Sequence, residues 1–132
     1  MTQPFIVIEG MDGAGKSEVS ARVAARLGAM HLESPIKAFK EIRQYVDANL
    51  CDKGRFLFYL ASNLDLSRYT RKKREIQSIV CARYFYSTII GYASRQGLDI
   101  KEFYKNLPVE SDEFEVPNLT IWTLRGKVDR AE

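Results

Sequence analysis

Cysteine is scarce in this chain. Cys51 and Cys81 are the only two in 132 residues; their spacing suits no metal-ligand set, and they are too few for the disulfide framework of a small secreted domain. A reducing, cytoplasmic setting is therefore expected. Histidine is scarcer still: His31 stands alone in an apolar stretch with no cysteine, serine or carboxylate cluster beside it, so a hydrogen-bonded packing role is expected of it and not catalysis. No apolar run approaches the roughly 18 residues that a membrane-spanning helix needs, and the N-terminus lacks a basic region followed by a signal-type apolar stretch. A soluble protein with no membrane partner is expected. A strong charge excess is also missing: the formal net charge is only +3 with the signs mixed along the chain, so a nucleic-acid partner is not expected. The one dense basic run, RKKRE at 71–75, reads as a solvated helix end.

What the chain has is enough apolar content, 45%, for one compact domain with a single core. Strand-like and helix-like stretches alternate. FIVIE (5–9) is short, β-branched and nearly all apolar, as suits a strand buried on both faces of a parallel sheet. Val19, Val23 and Leu27 then recur every four residues, and Gly28 stands where a helix would stop. AMHLE (29–33) predicts a second strand, and Ile36, Phe39, Ile42 and Val46 carry helical spacing. Residues 52–74 predict a long, largely buried helix. IQSIVCA (76–82) predicts a third strand, 84–96 and 101–106 two further helices, and NLTIWTL (118–124) a fourth strand. Such alternation implies β-α-β units, a parallel sheet and an α/β fold.

Between the first strand and the first helix lies GMDGAGKS: Gly10, four residues, then Gly15, Lys16 and Ser17. This is the phosphate-binding pattern G-x-x-x-x-G-K-[ST]. At average residue usage a chain of this length matches it by chance well under about 1% of the time, and here a strand precedes it and an amphipathic helix follows. Each residue type has a physical reason. Phosphate oxygens must meet several backbone N–H groups at close range, which requires glycine where a Cβ would block the approach or the backbone must take positive φ. The helix that follows offers its first-turn amides and dipole to an anion. Lys16 brings a compact positive charge to the β- and γ-phosphates of ATP, and the Ser17 hydroxyl suits Mg²⁺. Gly10, Met11, Asp12, Gly13, Ala14, Gly15, Lys16 and Ser17 are thus the expected nucleotide-binding residues.

FIVIEGMDGAGKS resembles the opening of the thymidylate kinase family, whose loop reads E-G-x-D-G-x-G-K-[ST]. IVCARYFYSTIIGYA (79–93) is similar to that family's strand ending in D-R-Y followed by x-x-S, and especially to its mitochondrial UMP-CMP-kinase-like branch. VPNLTIWTLRGKVDRAE resembles its P-D-L-x-I-x-L strand. The resemblance implies a three-layer α/β/α P-loop fold with four of its strands in this chain and a fifth missing. It implies one kinase domain over 1–132, incomplete at its C-terminal end, with the adenine-contacting loop and lid beyond Glu132. It also implies transfer of the γ-phosphoryl group of MgATP to a nucleoside monophosphate such as dTMP, and pairing into a homodimer. Residue by residue, Asp12 would face the acceptor's sugar or the metal, Arg83 would hold the acceptor phosphate, and Tyr84 and Arg43 would join the acceptor site. Arg43 and Arg22, being on predicted helices, also read as solvent-facing. The aromatic group Phe56, Phe58, Tyr59, Tyr84 and Tyr86 reads as core, with one ring available to stack on a base.

Three positions depart from the family pattern. Ala82 stands where an aspartate helps hold Mg²⁺, Leu64 where the long helix carries an arginine that fixes thymidylate, and HLESPIK where R-E-P-G follows the second strand. Glu33 then has two readings, a surface or capping carboxylate, or a base for a 5′-hydroxyl as in the related deoxynucleoside kinases. The alternatives to a monophosphate kinase are accordingly such a nucleoside kinase and a nucleotide-binding module with impaired catalysis. A signalling GTPase is disfavoured because no N-K-x-D follows, and a motor-type ATPase because the strand at 79–81 runs into alanine instead of aspartate.

Overall fold

The apolar stretch β1 (Phe5–Gly10) lies inside a four-stranded sheet, with Phe5, Val7, Ile8 and Glu9 all fully buried. The computed structural model describes residues 2–10, 13 and 15–124. Along the chain β1 is followed by α1 (Lys16–Leu27), β2 (Met30–Glu33), α2 (Lys37–Asn49), α3 (Asp52–Lys73), β3 (Ile79–Ala82), α4 (Phe85–Arg95), α5 (Ile100–Lys105) and β4 (Leu119–Thr123). The strands are parallel in the order β2-β3-β1-β4. This is the α/β architecture expected, with four strands where four were expected.

Side chains on a strand alternate between faces, and that splits the core in two. Phe5, Val7, Ile79 and Cys81 pack with Phe56, Leu60 and Leu66 of α3, with Phe85 and Ile89 of α4, and with Tyr84 and Phe114. Ile8 and Val80 face the other way, against Ala24, Val19 and Val23 of α1. Helices on both sides of the sheet make three layers. Because every strand runs the same way, Gly10, Glu33, Ala82 and Thr123 come together at one edge. The chain leaves β1 toward α1 on one face and β3 toward α4 on the other, which opens a crevice between the ends of these two neighbours.

One boundary differs from expectation for a local reason. The third strand starts at Ile79 and not at 76, because Ile76 and Gln77 donate back to Lys73 O (3.1 and 3.0 Å) and finish the turn after α3, leaving Ile76 79% exposed. Gly28 ends α1 as expected, in the left-handed conformation (φ 63°) with its N–H turned back to Ala24 and Ala25. Helix α3 is buried along one face through small polar residues as well as apolar ones: Ser62, Asn63, Ser67 and Thr70 are all at most 1% exposed. Among the described residues no helix is long and apolar enough to cross a membrane.

The basic run at 71–75 is structural, but it is not the solvated helix end expected throughout, because Arg74 is buried. Arg74, 6% exposed, donates to Gln3 O (2.9 Å), Glu115 Oε2 (3.1 Å) and Asn118 Oδ1, while Asn118 Oδ1 also accepts from Phe5 N (2.8 Å). Arg71 reaches the other oxygen of Glu115 at 3.1 Å. One guanidinium thus ties the end of α3 to the entry of β1 and of β4. Removing one partner of a buried ion pair strands the other, so Arg74→Ala is expected to cost about 3 kcal/mol, seen as a lower urea midpoint at unchanged slope. The Arg74→Ala/Glu115→Ala double variant is expected to lose less than the sum of the two single losses.

Candidate functional site

The loop after β1 is shaped by two different uses of glycine. At Gly10 (φ +148°) a Cβ would come within 2.6 Å of Thr123 O, and closer still to Thr123 Oγ1, so β4 leaves no room for a side chain. Gly13 (φ +82°) and Gly15 (φ +78°) have open space where a Cβ would lie; there the left-handed turn of the backbone is what requires glycine. Gly15 also occupies the N-cap of α1, and no side chain caps that end. The first-turn amides of α1 therefore keep their donor capacity for an anion in front of them.

Lys16 and Ser17 open α1, Lys16 largely buried and Ser17 exposed. They line a cleft of about 460 Å³ together with Gly13, Gly15, Glu33, Ser34, Arg43, Ala82 and Arg83. Ala82 pairs with Glu33 on one side and Ile8 on the other, on the α1 face of the sheet, so the position where the resembling family has an acid is a methyl group in the cleft wall. Glu33 and Glu18 are the described carboxylates along this cleft. Among the described residues no group of three or more His, Cys, Asp and Glu side chains is placed to hold a metal ion.

A second cleft, of about 250 Å³, continues from the first and shares Arg43 and Arg83 with it. Its walls come from α2 (Arg43, Asp47), α3 (Arg55, Phe56, Tyr59) and α4 (Ser87, Thr88, Arg95). The cations are aligned by acids. Arg43 Nε lies 3.5 Å from Asp47 Oδ2, and Asp47 Oδ1 accepts from the Tyr59 hydroxyl at 2.6 Å. Burial, reinforced by that carboxylate, pushes the Tyr59 phenol up from its ordinary value. Arg55 and Arg95 both pair with Asp52, and the Arg95 hydrogen bond holds the Asp52 carboxyl below the usual carboxylate range.

Arg83 sits between β3 and α4 at φ +72°, an uncommon conformation for a residue with a Cβ. Two features hold it there. Its N–H donates to Ile8 O (2.8 Å), and Glu9, one residue further along β1, accepts from Tyr84 N (3.2 Å) and Ser87 N (3.3 Å) through Oε2. Glu9 is thereby the anion at the N-terminus of α4. Burial pushes its carboxyl up; the bonds from Ser87 and Tyr84 and the charge of Arg83 offset part of that rise. Oε1 has no hydrogen-bond partner among the described residues.

The sequence-predicted residues divide clearly. Gly13, Gly15, Lys16, Ser17, Glu33, Arg43 and Arg83 meet around the first cleft. Met11, Asp12 and Ala14 lie outside the described residues. Tyr84 is a correction: it is fully buried, its ring packs edge-on against Phe5 and Phe85, and its hydroxyl donates to Glu115 O (2.9 Å), so its side chain belongs to the core and not to an acceptor site. Leu64 packs against the core cluster. His31 makes the hydrogen bond expected, 2.7 Å from Ser20 Oγ, but on the exposed side of β2 and not as a packed core residue. Arg22 faces solvent in an ion pair with Glu18. Cys81 is buried with its thiol pushed far up, which excludes it as a nucleophile. Sequence reasoning missed Asp47, Asp52, Arg55, Thr88 and Arg95. Their only signal is helical phase, with Arg55 and Tyr59 four apart on α3 and Thr88 and Arg95 seven apart on α4, and it becomes informative once α3 and α4 are known to pack together.

The thymidylate kinase family model matches residues 8–123 of this chain. A probable thymidylate kinase of Methanocaldococcus jannaschii is 30% identical over 107 residues, covering 78% of this chain and 56% of that protein. One of Methanococcus maripaludis is 31% identical over 120 residues, covering 89% and 58%. The chain spans about half the length of the curated relatives it matches. In fold it is similar to the crystal structure of thymidylate kinase from Ehrlichia chaffeensis, with a TM-score of 0.75 at 22% identity over 93% of this chain and 72% of that one.

Glu9 makes a pH prediction. Its folded-state carboxyl lies above the ordinary value of 4.5, so the native state holds its proton more tightly than the unfolded chain and stability falls as pH rises from about 4.5 through the folded-state value. Glu9→Gln keeps an oxygen for the two amides and removes the titration. In urea unfolding across pH, the variant is expected to gain stability relative to the parent as pH rises above 4.5; a difference independent of pH would show that burial does not raise this carboxyl.

Proposed function

The chain belongs to the thymidylate kinase family, and we propose that it is the part of such a kinase that holds MgATP at the phosphate loop and a nucleoside monophosphate such as dTMP in the adjoining arginine-lined cleft, where the γ-phosphoryl group passes from one to the other. The observation that carries this reading is the shared wall: Arg43 and Arg83 line both clefts. Two polyanions brought together in line repel each other, and a cation belonging to both sites offsets that repulsion where it is strongest.

The residues present fit a triphosphate. The uncapped first turn of α1, the turn carried by Gly13 and Gly15, and Lys16 at its end supply amide donors and a positive charge around one space. Ser17 would hold Mg²⁺ with few other protein ligands, in keeping with what this ion usually takes, and the ion would supply charge neutralisation for the phosphates. Asp12, by the family pattern, would face the acceptor's sugar or the metal. Arg83, pre-set by its backbone and by Glu9 beneath α4, would bind the acceptor phosphate. Little covalent help from the protein is needed, because positioning and charge supply most of the catalysis. Glu33 lines the loop cleft and not the acceptor cleft, which favours a monophosphate acceptor over a 5′-hydroxyl with Glu33 as base.

Incubation with MgATP and a panel of nucleosides and nucleoside monophosphates, followed by ADP release, tests the proposal. Turnover is expected with monophosphates only, and Lys16→Ala is expected to lower it about 10²- to 10³-fold. Turnover with nucleosides instead would replace this reading by that of a nucleoside kinase, and ATP binding without turnover on any acceptor would support a binding module. Ala82→Asp is expected to raise the rate or lower the Mg²⁺ concentration required, because it returns a carboxylate to the cleft wall beside Ser17; an unchanged rate would remove Ala82 as the limiting position.

A further inference from the structure

The far end of the acceptor cleft contains a guanidinium that phosphate chemistry does not use. One turn along α4 from Thr88 stands Gly91, and a Cβ built there would lie 3.3 Å from Arg95 Nη1. The Arg95 side chain therefore runs back toward the start of its own helix, as long side chains on helices do, and spreads over the bare backbone at Gly91. Asp52, at the start of α3, fixes it in that pose: Oδ1 accepts from Arg95 Nε at 3.0 Å and lies 2.9 Å from Nη2. Gln96 Nε2 donates to the other oxygen of Asp52 at 2.6 Å. Arg55, the neighbouring cation, is turned to the junction of α2 and α3, with Nη1 on Leu50 O at 2.7 Å and Nη2 3.5 Å from Asp52. Arg95 is thus the cation at this end whose Nη1 edge is directed along the cleft toward Thr88.

The helices give this cleft a direction. Asp52 meets Arg95, Phe56 stacks on Tyr92 at 4.4 Å, and Asn63 bonds Thr88 at 2.9 Å, so α3 and α4 run antiparallel with the groove between them. Arg83 and Ser87 stand at one end and Arg95 at the other. A nucleoside monophosphate whose phosphate sits on Arg83 points its base away from the phosphate loop, toward Thr88, Gly91 and the Arg95 guanidinium. Leu64, on α3, is aliphatic and packs against the core, so it brings no charge there.

We infer that Arg95, aligned by Asp52 over Gly91, is a specificity-determining residue that donates to a carbonyl oxygen of the acceptor's base. The inference rests on the acceptor cleft proposed above. A planar guanidinium with one edge already satisfied by a carboxylate is a pre-organised donor, so little freedom is lost when a base carbonyl meets its other edge. Glycine at position 91 is what lets that edge lie close to the helix.

The test compares binding of dTMP with that of 2-deoxyribose 5-phosphate, which keeps sugar and phosphate and lacks the base, to the full chain by titration calorimetry. The parent is expected to bind dTMP more tightly. Arg95→Ala is expected to weaken dTMP by about 10- to 100-fold, the loss for one hydrogen bond to a charged donor, and to leave 2-deoxyribose 5-phosphate unchanged. Asp52→Asn, which keeps the shape and loosens the alignment, is expected to shift dTMP in the same direction by less. Arg95 is 56% exposed, and an unaltered affinity for the sugar phosphate shows in the same experiment that the variant is folded. Equal weakening of both ligands, or no weakening of either, by Arg95→Ala would overturn the assignment while leaving the acceptor cleft standing. Failure of the folded parent to bind either ligand would overturn the acceptor cleft itself, and the role of Arg95 with it.

Discussion

A carboxylate with almost no access to water organises the edge of the sheet on which both clefts open. Glu9 is fully buried, and an ionised side chain in such a place is costly unless donors surround it. The donors here are the N–H groups of Tyr84 and Ser87, which the start of α4 would otherwise leave unpaired. The bond joins the last turn of β1 to the first turn of α4 across the crevice between β1 and β3. It therefore fixes the angle at which α4 leaves the sheet. Arg83 lies inside that junction, held in a left-handed conformation between the Ile8 carbonyl and the capped helix. Move the cap, and the guanidinium common to both clefts moves with it.

The rest of the site follows a related scheme, of cations held by acids. Asp47 braces Arg43 and Asp52 braces Arg95, each with a second donor, Tyr59 or Gln96, keeping the carboxylate in register. Flexible arginines are thereby held in defined positions around the second cleft, with little side-chain freedom left to lose. At the opposite edge of the sheet Arg74 does comparable work for the strands, joining Gln3, Glu115 and Asn118. One end of the sheet is anchored by a buried cation and the other by a buried anion.

How much of this could be read from the sequence depended on range. The strand, loop and helix around Lys16 are neighbours in the chain, and local pattern was enough to order them. The alternation of strands and helices carried the fold class, and helix ends announced by Gly28 and by residue 96 fell where expected. Tyr84 shows where such reading stops. It is the extended residue before α4 and not the first residue of the helix, and a change of one position at a helix start swings the side chain from the groove into the core. The strand expected from 76 was shortened by a helix-ending turn that apolar pattern cannot see. Arg55, Thr88 and Arg95 became visible only through the packing of α3 on α4, a contact between segments 25 or more positions apart with nothing local to mark it. Helix α3 hid its own buried face, because Ser62, Asn63, Ser67 and Thr70 occupy it alongside the apolar residues.

Gly10, the first residue of the loop motif, has a consequence for descent. What excludes a side chain there is partly the backbone carbonyl of Thr123, which no substitution at position 123 removes. The demand for glycine at position 10 thus comes from the neighbouring strand and would outlast any loss of nucleotide binding. A lineage that had abandoned phosphate chemistry could let Lys16 and Ser17 drift and would still be compelled to keep this glycine. In distant descendants of such a chain, the lysine and the serine are the record of a working site, and the first glycine is a record of the backbone turn at the end of β1 and of its closeness to β4.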